Sequence, residues 1–227
     1  MRDRRSAMSR GRCCVAEPLL SEELDRYLES LVPPRAGELA EMEAEGRRTG
    51  FPIIGPTCGH FCYLVARLVG ARQVFEMGSG YGYSTAWFAR AVIESGGGRV
   101  VHTVWDDGLS RRARAHLSAL GLEAAVEFRV EEAVQALRQS DGPFDLIFLD
   151  IDKQAYPEAL DVIESKLRRG GVLLADNLLL SGAVLDGRDR SARTQALRTF
   201  TRRIMEGDGW IGSIVPQRDG LMLAYRR

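Results

Sequence analysis

The chain is expected to be an α/β protein with a doubly wound, mostly parallel sheet of seven strands, extra helices before it and an antiparallel hairpin at its end. Three observations lead there. From Arg72 onward, short β-type runs alternate with helical stretches, the rhythm of βαβ units. The last two runs, 210–216 and 221–225, are separated by Arg218-Asp219-Gly220, a link that suits a turn between antiparallel strands. The segment from Ser21 to Gly70 reads as helices and turns instead.

The elements follow in order. Residues 1–20 are expected to be a disordered tail or the product of a start site placed ahead of Met8, because the first twelve residues hold five arginines and one acid with no core pattern. A single domain spans 21–227, with helices over 21–70 and the sheet core over 71–227. Ser21 is placed to cap a first helix, Glu22 and Glu23 suit its positive end, and Leu24, Tyr27, Leu28 and Leu31 form one stripe before Pro33-Pro34. A polar helix is expected over 36–48. Phe51 to Pro56 forms a rigid turn, and Thr57 is expected to cap a third helix through Phe61, Val65 and Leu68, ending near Gly70. Strands are then expected at 73–77, 99–104, 124–130, 144–150 and 172–176, and helices at 83–93, 109–120, 132–138, 155–168 and 191–206. The helices before Arg72 are expected to pack on the same domain or to meet a partner.

Composition narrows the function. With 227 residues, 45% hydrophobic and 27% charged, the chain fits one ordinary domain with a sizeable core. Lys+Arg and Asp+Glu balance at 31 each, so net charge does not suggest bulk nucleic acid or an anionic membrane as partner. The apolar stretch over 172–184 is broken by Asp176 and Asn177, which excludes a membrane span. No apolar stretch of signal-peptide type follows the basic start, and the cysteines fit a reducing cytoplasm. Cys58 and Cys62 with His60 between them have the spacing of a zinc half-site, but no second Cys/His pair follows, and small apolar residues on a buried helix are expected.

Two motifs carry chemistry. Glu76-Met77-Gly78-Ser79-Gly80-Tyr81-Gly82-Tyr83-Ser84 closes the first strand and opens the next helix, where glycines let the backbone turn tightly and approach a ligand. Tyr83 stands where the dinucleotide fingerprint needs its third glycine, and no G-K-[ST] follows. The acid before the loop suits S-adenosylmethionine (SAM), whose methionine portion is positively charged. Asp106, past the second strand, is a candidate for the ribose, and Glu132-Ala133 open a helix whose free N–H groups suit adenine. The second motif is Asp150 and Asp176-Asn177, each closing an apolar run. Neighbouring strands would bring three oxygen ligands to one sheet edge, fitting Mg²⁺ with Mn²⁺ or Ca²⁺ as substitutes, and Lys153 stands beside them as a base. Asp152 is either a partner that orients Lys153 or a water, or a surface turn residue. Tyr156 is expected to be a packing residue, and His60, His102 and His116 are assigned no chemistry. No G-x-S-x-G supports a hydrolase.

Together these residues resemble the metal-dependent, SAM-dependent O-methyltransferases, the group of catechol and caffeoyl-coenzyme A O-methyltransferases and their bacterial relatives. The resemblance runs from about Ser21 to the end and rests on Glu76-Met77-Gly78-x-x-x-Gly82-Tyr83-Ser84, Asp150-x-Asp152-Lys153-x-x-Tyr156, Asp176-Asn177 with Ser181-Gly182, and Asp219-Gly220. It implies a Rossmann-like methyltransferase sheet and metal ligation by Asp150, Asp176 and Asn177. It also implies Lys153 as catalytic base and cofactor contacts from Glu76, Gly78 and Ser84, with Ser79, Gly80, Asp106, Glu132, Ala133 and Asp150 completing the candidate cofactor set. A small molecule with vicinal oxygens is the implied acceptor, and a homodimer the implied assembly. Three departures stand out: Val104-Trp105 where the family commonly has an acid, Glu131-Glu132 in place of Gly-Asp, and Leu180 where a Trp is often found. Two other readings remain. Some similar bacterial proteins methylate a hydroxylated tRNA uridine, for which Arg188, Arg190, Arg193, Arg198, Arg202 and Arg203 would form a basic strip. A non-catalytic binding module of the same fold is the other.

Overall fold

The computed structural model describes residues 21–35 and 37–227, so the tail expected over 1–20 lies outside the described residues. Three helices come first, α1 (Glu22–Leu31), α2 (Gly37–Thr49) and α3 (Gly55–Leu68). The alternation follows as β1 (Gln73–Met77), α4 (Tyr83–Glu94), β2 (Arg99–Val104), α5 (Asp107–Ala119), β3 (Val126–Val130), α6 (Ala133–Gln139), β4 (Phe144–Leu149), α7 (Tyr156–Lys166) and β5 (Leu167–Ala175). Then come α8 (Ala192–Glu206), β6 (Trp210–Val215) and β7 (Leu221–Arg226).

The sheet order is β3-β2-β1-β4-β5-β7-β6. β1 to β5 run parallel, and β7 inserts antiparallel beside β5 with β6 outside it. The order reverses between β1 and β4, and in open α/β sheets the crevice beyond the strand ends at that point is where ligands bind. The central strand β4 and the second half of β5 read as nearly continuous apolar runs because both of their faces are covered, whereas the edge strand β3 buries no residue. Leu146 and Phe148 of β4 join one buried cluster with α3 and α4, while Ile147 and Leu149 join the other with α6, α7 and α8.

Two expected boundaries move. Thr57 does not cap α3: the helix already starts at Gly55, with Pro56 in its first turn, and Ile54 in the cap position makes no side-chain cap. Proline suits that place because its missing N–H is one the first turn leaves unpaired anyway. The helix expected over 155–168 ends at Lys166, and β5 begins at Leu167, earlier than the strand expected from 172. Leu167 pairs with Phe144 before an irregularity in the register, and Gly170, at φ +75°, lies within that irregular stretch. Ser21 does cap α1, accepting a bond from the Leu24 N–H at 3.2 Å. α2 packs on the domain through buried Leu39 and Met42, whereas α1 buries no residue.

Candidate active site

The parallel register sets the site. Met77 of β1 lies opposite Leu149 of β4, and Leu149 lies opposite Ala175 of β5. The next residues, Gly78, Asp150 and Asp176, therefore leave the sheet side by side. Backbone bonds continue the ladder one step further, with the Asp150 N–H donating to Met77 O at 2.9 Å and the Asp176 N–H to Leu149 O at 3.0 Å. Gly78 has φ +84°, and a Cβ there would fall 2.2 Å from the Asp150 carbonyl oxygen, so only glycine lets the two strand ends approach this closely.

A cavity of about 530 Å³ opens over these ends, lined by Gly78, Gly80, Asp150, Lys153, Asp176 and Asn177 among others. Glu132 also lines it, and its carboxylate accepts from the Val134 and Gln135 N–H groups, capping α6. Phe51, Pro52 and Ile53 of the turn before α3 form a wall. A small pocket under the same wall adds Ser79 and Ser84 of the glycine loop.

Three residues of the expected cofactor set line neither space. Ala133 is buried in α6. Asp106 is exposed and accepts from the Leu109 N–H at 2.7 Å, capping α5, so the residue beyond β2 that faces the cavity is Trp105, 74% exposed. Glu76 lies beneath the loop, fully buried. Burial pushes its carboxyl up to about 7, while the hydroxyls of Ser84, Thr85 and Ser79 pull it back. Thr85 donates to Glu76 Oε2, and its Oγ1 lies 3.0 Å from His102 Nδ1. Burial holds His102 down at about 3, so it is neutral. A hydroxyl that donates to Glu76 must accept from His102, which puts the ring proton on Nδ1 and leaves Nε2 as the bare nitrogen; Nε2 indeed has no partner. His102, given no role in the sequence reading, thus supports Glu76 through Thr85.

The metal-ligand candidates converge. Asp176 is 4% exposed, and burial, then the neighbouring Asp150, raises its carboxyl to about 6, with Lys153 acting the other way. Its Oδ1 is buried without a hydrogen-bond partner. Asn177 follows in a left-handed turn, φ 61°. Among the described residues no three His, Cys, Asp or Glu side chains gather as a metal site, and this trio holds two carboxylates and one amide. An unpaired buried carboxylate oxygen beside a second carboxylate is an expensive arrangement that a hard cation would offset, so the residues fit an oxygen-ligated divalent ion.

Lys153 is 5% exposed, and its Nζ donates to Asp150 Oδ1 at 2.9 Å and to the Tyr156 hydroxyl at 2.7 Å. Tyr156 is more than packing: its fully buried hydroxyl lies 2.8 Å from Asp176 O and 3.1 Å from Leu149 O, tying Lys153 to both strand ends. The spacing of Lys153 and Tyr156, one turn apart, was the available signal. Asp152 lines the cavity and accepts from the Gln154 N–H, shaping the turn that carries Lys153.

The loop is pinned from outside the sheet by two α2 residues, Met42 and Glu43, that the sequence does not mark out. Tyr81 donates to Met42 O at 2.9 Å, and Tyr83 donates to Glu43 Oε1 at 2.8 Å, so α2 clamps the glycine loop. Cys58 and Cys62 are buried free thiols on α3. The arginine strip divides: Arg198 donates to the carbonyls of Val184, Asp186 and Asp189, Arg203 pairs with Asp161, and Arg193 reaches the cavity. No helix among the described residues is long and apolar enough to cross a membrane.

Comparison with known proteins points the same way. Residues 36–227 match the O-methyltransferase family. A catechol O-methyltransferase of Niastella koreensis is 30% identical over 89% of this chain and 96% of its own length. One of Mycobacterium tuberculosis is 32% identical over 78% of this chain and 81% of its own. Among solved structures, the Bacillus cereus O-methyltransferase in complex with SAH superposes with a TM-score of 0.82 at 30% identity, covering 90% of this chain and 97% of that one. An O-methyltransferase of Streptomyces achromogenes involved in tomaymycin synthesis, in complex with SAM, gives 0.81 at 29% identity, covering 90% and 96%.

Proposed function

The chain belongs to the O-methyltransferase family and is a SAM-dependent enzyme, and we propose that it methylates one of two vicinal oxygens on a small, catechol-like molecule with the help of a divalent metal. The observation that carries this reading is the buried, unpartnered Oδ1 of Asp176 beside Asp150, at the mouth of the cavity that the glycine loop also lines. Asp150, Asp176 and Asn177 would hold the ion, Mg²⁺ first, which supplies positive charge that acidifies an acceptor hydroxyl and orients its neighbour.

The remaining work falls to the chain itself. The glycine loop and Phe51 wall hold the cofactor, with Glu76 beneath as a counter-charge for its cationic end. Methyl transfer is an in-line displacement: the acceptor oxygen forms a bond to the methyl carbon, the sulfur–carbon bond breaks, and its electron pair returns to sulfur. The hydroxyl proton goes to Lys153 Nζ. Two of the directions in which Nζ hydrogen-bonds are taken by Asp150 and Tyr156, and Lys153 lines the cavity, so one direction is left for the acceptor. Positioning two reactants in this way is itself a large part of such catalysis.

A homodimer belongs to the same reading. Leu24, Tyr27 and Leu31 of α1 are exposed, and α1 borders a groove with α3, where Leu64 is exposed as well. A second copy is the occupant that would cover this stripe. The tRNA reading draws less support, because Arg198 and Arg203 of its basic strip are engaged within the fold.

The test is a panel of catechols and aliphatic vicinal diols with labelled SAM, run with Mg²⁺ and with excess chelator. Methylated catechol that forms with metal and not with chelator supports the proposal. An undiminished rate in chelator removes the metal, and a panel without any product removes the acceptor class.

A further inference from the structure

Among the described residues, two arginines stand at the cavity wall without a direct ion pair. Arg193 and Arg218 both line the cavity that holds Asp150, Asp176 and Asn177. Among the described residues neither has a carboxylate within 4.0 Å. Of the other ionic groups of the cavity, Lys153 is bonded to Asp150, Glu132 caps α6 and Asp152 caps its own turn, while Asp176 keeps one oxygen unpaired.

Each arginine also sits in a locally unfavourable place. Arg193 is the second residue of α8, in a first turn without an acid, where the helix dipole disfavours positive charge. Arg218 has φ 50° in the turn that joins β6 to β7, a left-handed conformation in which Gly or Asn would be less strained. Its guanidinium reaches across to the start of α3. A Cβ on Gly55 would fall 2.5 Å from Arg218 Nη1, so the guanidinium packs directly on the Gly55 backbone. That helix start has no side-chain cap, so Arg218, too, lies against the positive end of a helix. Arg218 is close enough to Asp176 to act on its carboxyl. Elsewhere on the domain, by contrast, Arg198 and Arg203 are bound to carbonyls or acids.

We propose that Arg193 and Arg218 form a receptor for an anionic substituent, so that the acceptor carries a carboxylate or similar oxyanion in addition to its vicinal oxygens. This rests on the vicinal-oxygen reading above and narrows it. Arginine forks match planar carboxylates, and positive charge at two helix starts adds to the attraction.

The experiment compares 3,4-dihydroxybenzoate with 3,4-dihydroxybenzamide, which share ring and hydroxyls and differ in charge, using the full chain with SAM and Mg²⁺. The acid is expected to show kcat/KM about tenfold or more above the amide, mainly through KM, with the advantage shrinking as salt rises. Arg193→Gln and Arg218→Gln are each expected to bring the acid-to-amide ratio down, and the double variant to bring it near one. Equal kcat/KM for the two compounds, or a ratio that the variants leave in place, overturns the inference while methyl transfer to catechols stands. Binding is read independently, as the shift in Tm of the SAH-loaded protein on adding each compound without turnover. A shift with the acid, absent with the amide and lost in the double variant, supports the receptor even if neither compound is methylated, in which case it is the methyl-acceptor reading that fails. No shift with either, or the same shift with both, overturns the receptor. Circular dichroism identifies a misfolded variant, and Arg193→Gln, at an exposed helix position, carries the test if Arg218→Gln does not fold.

Discussion

Glu76 carries the clearest pH dependence among the buried groups. Its carboxyl is raised from 4.5 to about 7, so the folded chain binds that proton more tightly than the unfolded chain does. The stabilisation it contributes is therefore complete below about pH 4.5 and is lost as pH rises through about 7, on the order of 3 kcal/mol in all. Glu76→Gln keeps the shape and removes the titration. In urea unfolding of the cofactor-free protein, the variant is expected to lack the loss that the wild type suffers between these pH values; a parallel loss in both would refute the assignment. SAH binding is expected to weaken in the same variant. For Lys153, the expected signature is different. Lys153→Met should lower turnover by about a hundredfold or more while SAH affinity holds. A rate within a small factor of wild type would take away its role as base.

At the scale of elements, the approach of β1 to β4 is the most constrained point. Gly78→Ala puts a methyl 2.2 Å from the Asp150 carbonyl oxygen and 2.9 Å from its carbon at φ +84°, and both atoms belong to backbone that cannot swing away. The expected cost is about 3 kcal/mol from overpacking and left-handed strain together. Gly96→Ala, also at positive φ but in open space, isolates the strain, at about 1 kcal/mol. Equal losses in urea unfolding would mean that the close approach is unimportant. The hydrogen bonds of Tyr156 make a second element-level link, since its one hydroxyl reaches β4, the end of β5 and Lys153. Tyr156→Phe leaves these buried groups short of a partner and is expected to lower stability by about 1–2 kcal/mol.

At the scale of the molecule, α1 touches α3 but leaves an apolar stripe open. Its stripe of Leu24, Tyr27 and Leu31 is exposed, although the helix is strongly amphipathic and buries nothing in the monomer. If a second copy covers it, sedimentation should find a dimer at micromolar concentration, and Tyr27→Glu with Leu31→Glu should yield monomers that keep the wild-type circular dichroism. A wild-type monomer, or a double variant that stays dimeric, would assign the stripe to something else. The clamp of α2 on Tyr81 and Tyr83 shows that this N-terminal helix is not an appendage: it holds the glycine loop in place.

Much of this protein is determined locally. Short β-type runs mark the place of all seven strands, though not where β5 begins, and the short link at Arg218-Asp219-Gly220 makes the last pair a hairpin, because strand and turn preferences act over a few residues. The same locality identifies Asp150, Asp176 and Asn177 as strand-end residues and the glycine loop as a place of close approach. What only the tertiary structure decided is which side chains meet. Strand order and register set Asp176 beside Asp150 with an oxygen left unpaired, and they turn Asp106 to its own helix while Trp105 faces the cavity. They also bring Arg193 and Arg218, from separate elements, to one wall. No local pattern could specify these meetings, since each depends on how distant segments are stacked across a sheet whose chain order differs from its spatial order.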